Sequence, residues 1–174
     1  MIVALPTVGS FGCNSRPRAP ALETGPVYQS KSEGIRFRVP DSWVQNARSE
    51  LPAGKLEKER LLVSYRSKDR MAGFELDALD FSSDLELGTY LAERAYGSKL
   101  WKPSAKPEEV KVGDLSGVHY LMSGRVDKEA VTLDVTSVHR GDRVYLFKGI
   151  YTSGDKVARD QLRDAVRSII MRNP

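Results

Sequence analysis

Apolar and polar residues alternate from Gly34 to Val39, with Ile35, Phe37 and Val39 on one face and Arg36 and Arg38 on the other. A period of two marks a half-buried strand. Pro40 ends it because proline donates no ladder hydrogen bond. Asp41-Ser42 turn the chain, and Trp43 follows as a large apolar anchor that, with Val44, begins a second short strand. Residues 45–60 are polar and read as a loop. Leu61 to Tyr65 is a short apolar strand, and Gly73 to Phe81 alternates again. Ser82-Ser83-Asp84 then forms a helix cap, after which Leu87, Tyr90, Leu91 and Ala95 keep helical spacing until Gly97.

The second half reads as a meander. Strands are predicted at Glu109 to Val112, Gly117 to Val126, Ala130 to Arg140 and Arg143 to Thr152, with turns at Gly113-Asp114 and Gly141-Asp142. In the last strand Val144, Leu146 and Ile150 oppose Tyr145, Phe147 and Tyr151, so both faces are apolar and the strand is central. Asp155 opens a C-terminal helix that buries Ala158, Leu162, Ala165 and Ile169. It turns Arg159, Asp160, Arg163, Asp164 and Arg167 outward. About six to seven mostly antiparallel strands with one mid-chain and one C-terminal helix make an α+β protein.

Length and composition narrow the picture. A chain of 174 residues is one domain and large enough to bury a core without disulfides or metals. The net charge of +4 comes from 27 basic and 23 acidic residues intermixed along the chain. Nucleic-acid binders concentrate their excess, so no nucleic-acid partner is expected. No apolar stretch after the N-terminus reaches the ~20 residues of a spanning helix.

Cys13 is the single cysteine and excludes an intramolecular disulfide. Residues 1–12 carry no charge and are mostly apolar or small, and Asn14 to Pro26 is polar with Pro17, Pro20 and Pro26. An apolar run, a cysteine and a flexible tether resemble a bacterial lipoprotein signal peptide. That resemblance implies acylation of Cys13 and an anchor in a membrane surface, because two acyl chains hold a protein stably. No Lys or Arg precedes Cys13, and Ser10 and Phe11 stand where the pattern takes Leu and a small residue. The alternative is an uncleaved tail with an idle thiol. The expected organisation is a signal over 1–13, a tether over 14–30 and one domain over 31–174. The expected location is the extracytoplasmic cell envelope, or the cytoplasm if residues 1–13 are not a signal.

The order of elements also resembles a known family. It comprises an opening strand Arg36-Phe37-Arg38-Val39-Pro40-Asp41-Ser42-Trp43, paired strands, a helix after Ser82-Ser83-Asp84, and a strand with Gly117. Two long strands joined by Gly141-Asp142 and a closing helix from Asp155 to Ile170 complete it. This resembles the PsbP-like superfamily, with its Ran-binding Mog-type proteins, photosystem-associated PsbP proteins and bacterial DcrB-like lipoproteins. The resemblance spans Gly34 to Met171. It implies an α/β/α sandwich around an antiparallel sheet, no common enzymatic activity, and a role in binding or assembly. The lipoprotein branch fits Cys13.

Chemistry-bearing residues are sparse. His119 and His139 lie on strands that pair, but no carboxylate or thiol is spaced to complete a tetrahedral metal set, so edge or surface histidines are the expectation. Glu75 and Asp77 share a strand face that Asp80 does not, which reads as a solvated acidic face. Arg140-Gly141-Asp142 is turn chemistry. Lys99, Lys102 and Lys106 around Trp101 form a basic-aromatic loop suited to an anionic partner or lipid headgroup. No Gly-x-Ser-x-Gly elbow and no phosphate loop occurs. The expectation is a monomeric, non-catalytic envelope module without cofactor or metal. It would bind an unidentified protein partner through Lys99, Trp101, Lys102 and Lys106 and a membrane through Cys13. The alternative is a small-ligand or metal-binding protein using the sheet face near His119, His139 and Tyr120.

Overall fold

In the computed structural model, residues 25–80, 86–93 and 101–172 are described. Cys13, Lys99 and the Ser82-Ser83-Asp84 cap lie outside them. Among the described residues eleven strands and two helices form in this order: β1 (Val27–Ser30), β2 (Ile35–Arg38), β3 (Trp43–Arg48), β4 (Arg60–Ser67), β5 (Ala72–Asp80), α1 (Leu87–Glu93), β6 (Lys102–Pro103), β7 (Glu108–Val112), β8 (Leu115–Val126), β9 (Glu129–Arg140), β10 (Arg143–Thr152), α2 (Lys156–Arg167) and β11 (Ile170–Met171).

The main sheet has eight strands in the order β3-β4-β5-β10-β9-β8, with β6 and β7 both on the outer edge of β8. β1, β2 and β11 make a second, three-stranded sheet. Every pairing is antiparallel. Short turns make this possible. Arg140 pairs with Arg143 across Gly141-Asp142, with Gly141 at φ 59°. Asp127 and Lys128 both take positive φ, 48° and 73°, between β8 and β9, the backbone demanded by a two-residue hairpin.

Alternation on the sheet separates two cores. On one face Phe74, Tyr145 and Phe147 pack with Phe37, Trp43 and Tyr28, under α2 (Ala158, Leu162) and the small sheet. Phe37 is the hub. Its ring lies 4.9 Å from Tyr28, 5.3 Å from Phe74 and 6.3 Å from Phe147, and burying each such ring contributes roughly 1.5–3 kcal/mol. On the other face Leu133, Val135, Val144 and Leu146 pack with Leu87 and Leu91 of α1 and with Trp101. The result is an α+β sandwich, with helices on both faces of the sheet.

Both helices are capped by carboxylates. Asp155 accepts from Ala158 N at 3.0 Å and pairs with Arg70 at 3.1 Å. The Ala158 amide, more than the guanidinium, holds the Asp155 carboxyl below its usual range. Glu86 accepts from Gly88 N and Thr89 N at the start of α1.

The small sheet departs from the sequence expectation. Val27–Ser30, assigned to the tether, is a strand whose Tyr28 is 3 % exposed and stacks on Phe37. β3 runs to Arg48 instead of stopping at Val44, with a bulge between Gln45 and Ala47. β6 and β11 have two residues each, too short for any period to register.

Candidate functional site: a cleft between the C-terminal helix and the far sheet edge

A cleft of about 450 Å³ opens on the α2 face of the main sheet. Its floor crosses β5, β10, β9 and β8 through Phe74, Phe147, Gly149, Asp134, Thr136 and His119. One wall is α2, with Leu162, Arg163, Val166 and Arg167, and β7 closes the other side with Glu108, Val110 and Val112. Gly149 sets the depth on the helix side. A Cβ there would stand 2.7 Å from Leu162 Cδ1, so a larger residue would have to push the Leu162 side chain aside.

A hydrogen-bonded group sits in the floor. His119 Nε2 lies 2.7 Å from Asp134 Oδ1, and the Tyr151 hydroxyl donates to Asp134 Oδ2 at 3.3 Å. These residues come from β8, β9 and β10, and their even or odd register puts all three side chains on one face. Burial and then the Asp134 charge raise the Tyr151 phenol above its ordinary range, while Arg163 and Arg159 act against the shift. The Arg163 guanidinium thus makes itself felt at the cleft floor. Arg163 and Glu108 form no ion pair or hydrogen bond with another described residue, whereas Arg167 leans on Asp164 at 3.3 Å. A mixed apolar and polar concavity of this size falls within the roughly 300–1,000 Å³ of ligand sites.

The structure separates residues that the sequence put together. His119 pairs with Thr136 and faces the cleft, but His139 lies an odd number of residues along β9, on the opposite face, and is exposed. Tyr120 faces the α1 side with it. A shared site for His119, His139 and Tyr120 is therefore excluded, because successive residues on a strand point to opposite faces. Among the described residues no group of three or more His, Cys, Asp or Glu side chains is placed to hold a metal ion.

Trp101 is 1 % exposed and packs in the core beneath α1 with its Nε1 unpartnered among the described residues. It offers no surface to a partner in this conformation. Lys102 and Lys106 are exposed beside it.

The acidic strand face is only half solvated: Asp77 is buried, whereas the Glu75 side chain stays 40% exposed. Lys148 on β10, 3 % exposed, takes ion pairs from Asp77, from Glu59 at 3.1 Å and from Glu75 at 3.2 Å, and the Tyr90 hydroxyl donates to Glu59 at 2.7 Å. Burial pushes both inner carboxyls up. At Glu59 the Lys148 charge and donors from Asp77 and Tyr90 win, bringing it down to about 2. At Asp77 burial outweighs Lys148, and the neighbouring Glu59 adds to it, pushing the carboxyl to about 7. The proton between the two carboxyls is a property of the pair. Lys148 itself is raised, since the three carboxylates outweigh its burial. Nothing in the alternation of β10 announces this lysine, which occupies an apolar position; Glu75 and Asp77 on the paired strand were the available signal.

No protein-family model and no curated protein sequence matches the chain. Solved structures do match. Cyanobacterial PsbP (CyanoP) from Synechocystis sp. PCC 6803 superposes with a TM-score of 0.59 at 12% identity, over 90% of this chain and 100% of that one. The Saccharomyces cerevisiae Ran-binding protein Mog1p gives 0.53 at 13% identity, over 84% and 94%. The chain has the PsbP/Mog1-like fold. LpqN, involved in cell envelope biogenesis of Mycobacterium tuberculosis, gives 0.53 at 12% identity over 87% of each chain. No described helix is long and apolar enough to cross a membrane.

Proposed function

We propose that this protein is a non-catalytic binding module of the cell envelope, held at a membrane through Cys13, which receives its partner in the cleft between α2 and β7. The observation that carries the reading is the cleft itself, a mixed apolar and polar concavity into which the His119–Asp134–Tyr151 group, Thr136 and Arg163 converge. Such convergence on a concave site is what ligand recognition requires. The fold supports a binding role: one protein that shares it is named for binding Ran and another for cell envelope biogenesis. Fold alone transfers no partner. Exposed Lys102 and Lys106 supply a second, basic contact for an anionic surface.

Two experiments test this. A photo-crosslinking residue at Val110, in the cleft, captures a partner in the native host, whereas the same residue at Asn46, on the opposite sheet edge, does not. Equal capture at both positions, or capture at Asn46 alone, overturns the cleft. Cys13→Ser releases the protein from the membrane fraction if the anchor is real, and unchanged fractionation removes the anchor.

A further inference from the structure

The cleft has an electrical polarity across it. Arg163 stands on the α2 wall and Glu108 on the β7 wall, both exposed and neither in an ion pair or hydrogen bond with another described residue. The cross-strand register supports the placement of Glu108: it pairs with His119, so the two side chains share the cleft face. Lys111 also lines the cleft, but its Nζ is engaged, donating to Ser116 Oγ at 2.8 Å. Of the charged side chains that line the cleft, Lys111, Asp134 and Arg167 have partners, and Arg163 and Glu108, at opposite ends, have no ion pair or hydrogen bond with another described residue. Between them lie apolar Val110, Val112, Phe147 and Val166, the Thr136 hydroxyl without a hydrogen bond among the described residues, and the remaining nitrogen of His119.

We propose that the cleft takes a short zwitterionic peptide, its terminal carboxylate on Arg163 and its terminal ammonium at Glu108. The proposal rests on the cleft being the binding site. Three chemical facts select this ligand class. A guanidinium holds a carboxylate through two parallel hydrogen bonds, the geometry that favours arginine for this task. A lone anion or cation satisfies one wall and leaves the other charge unmatched, whereas a zwitterion matches both. The span also fits. From β10, beneath α2, to β7 is three strand intervals of ~4.8 Å, roughly 14 Å. Long side chains reaching in from both walls leave room for one to three residues at ~3.6 Å each at most. Thr136 and His119 then lie where the peptide's own amides pass.

The probe is the tripeptide Leu-Gly-Leu, with its N-acetylated and C-amidated forms, titrated into the ¹⁵N-labelled protein. Leu-Gly-Leu is expected to move the amide signals of residues 108–112, 134–136 and 163–167, and capping either end is expected to weaken binding at least tenfold. Arg163→Gln abolishes the discrimination against the amide and leaves that against the acetyl form. Glu108→Gln does the reverse. Both side chains are exposed and unpaired, so unchanged melting temperatures confirm that the variants are folded. Equal binding of the capped and free forms within the cleft overturns the zwitterion and leaves the cleft standing as a site. Shifts confined to other residues, or none with any of the three probes, also overturn the peptide, and capture at Val110 then decides separately whether the cleft binds something else.

Discussion

His119 Nε2 lies 2.7 Å from Asp134 Oδ1, and among the described residues the Asp134 carboxylate has one further donor, Tyr151. The Asp134 side chain is 10% exposed, so water replaces a lost partner poorly. His119→Ala is expected to lower stability by about 1–3 kcal/mol, the cost of an under-satisfied buried acceptor. His119→Gln, whose amide can donate to the same oxygen, recovers part of the loss. Urea unfolding midpoints of the two variants measure this, and an equal loss in both would assign the effect to ring packing instead of the hydrogen bond.

Trp43 ties the first long hairpin to the last helix. Its Nε1 donates to Gln161 Oε1 at 3.0 Å, across 118 residues of chain. In a cycle of Trp43→Phe, Gln161→Ala and the double variant, the coupling is expected at about 0.5–1.5 kcal/mol. Chemical denaturation of all four proteins gives it, and additivity within error would mean that the bond contributes nothing beyond the packing of the ring.

Asp77 predicts a pH dependence. Its carboxyl is raised to about 7 by burial and by Glu59, against the partial relief of Lys148, from an ordinary value of about 3.9. The folded state therefore favours the protonated form. The resulting stability is whole below about pH 4 and is lost as the pH rises towards 7. Glu59, held at about 2, acts in the opposite sense, but only below about pH 4.5. Asp77→Asn keeps the neutral form at every pH. Between pH 5 and 8 its stability should gain on the unaltered protein by about 2–3 kcal/mol. Parallel pH profiles of the two urea midpoints would refute the raised carboxyl.

Much of the fold could be read from the sequence because its strands are long and alternate. Ile35, Phe37 and Trp43 are buried and Arg36 and Arg38 exposed, as their period demands, and the two-residue turn at Gly141-Asp142 forms where glycine supplies positive φ. What escaped the sequence depends on pairing between distant segments. β1 is four residues long and becomes a strand only because Tyr28 stacks on Phe37. The cleft is half legible: the sequence offers His119 as a candidate, whereas Asp134 is one polar position within the strand from Ala130 to Arg140. Their meeting is set by the register of β8 on β9, which local pattern does not encode. His139 was misplaced for the same reason.

Gly117 shows how tightly that register is packed. A Cβ at this position would overlap the carbonyl oxygen of Ser137 on the neighbouring strand. A backbone atom cannot move aside as a side-chain end can, so Gly117→Ala forces β8 away from β9. The expected cost is about 1–3 kcal/mol, the range for overpacked interiors. Because His119 is two residues along the same strand face, the change should also disturb the His119–Asp134 contact. Thermal denaturation with ¹⁵N spectra of the cleft residues checks both effects; an unchanged melting temperature would mean that the two strands have slack here.

Trp101 is the residue on which sequence and structure part most sharply, and its variants separate stability from recognition. The ring is 1 % exposed, among Leu91, Met122 and Leu133, with its N–H unpartnered among the described residues. Trp101→Ala is expected to cost about 3–5 kcal/mol through the cavity it leaves. Trp101→Phe keeps most of the apolar volume and deletes the donor that has no acceptor, so less than half of that loss should remain. Any partner lost with Trp101→Ala would then report unfolding and not a missing surface contact. The clean test of the loop as a contact surface is the charge reversal Lys102→Glu with Lys106→Glu, since both residues are exposed and leave the core intact. Denaturation curves rank the two tryptophan variants. Should Trp101→Ala keep full stability, the indole is not held in the core, and the loop regains its aromatic surface.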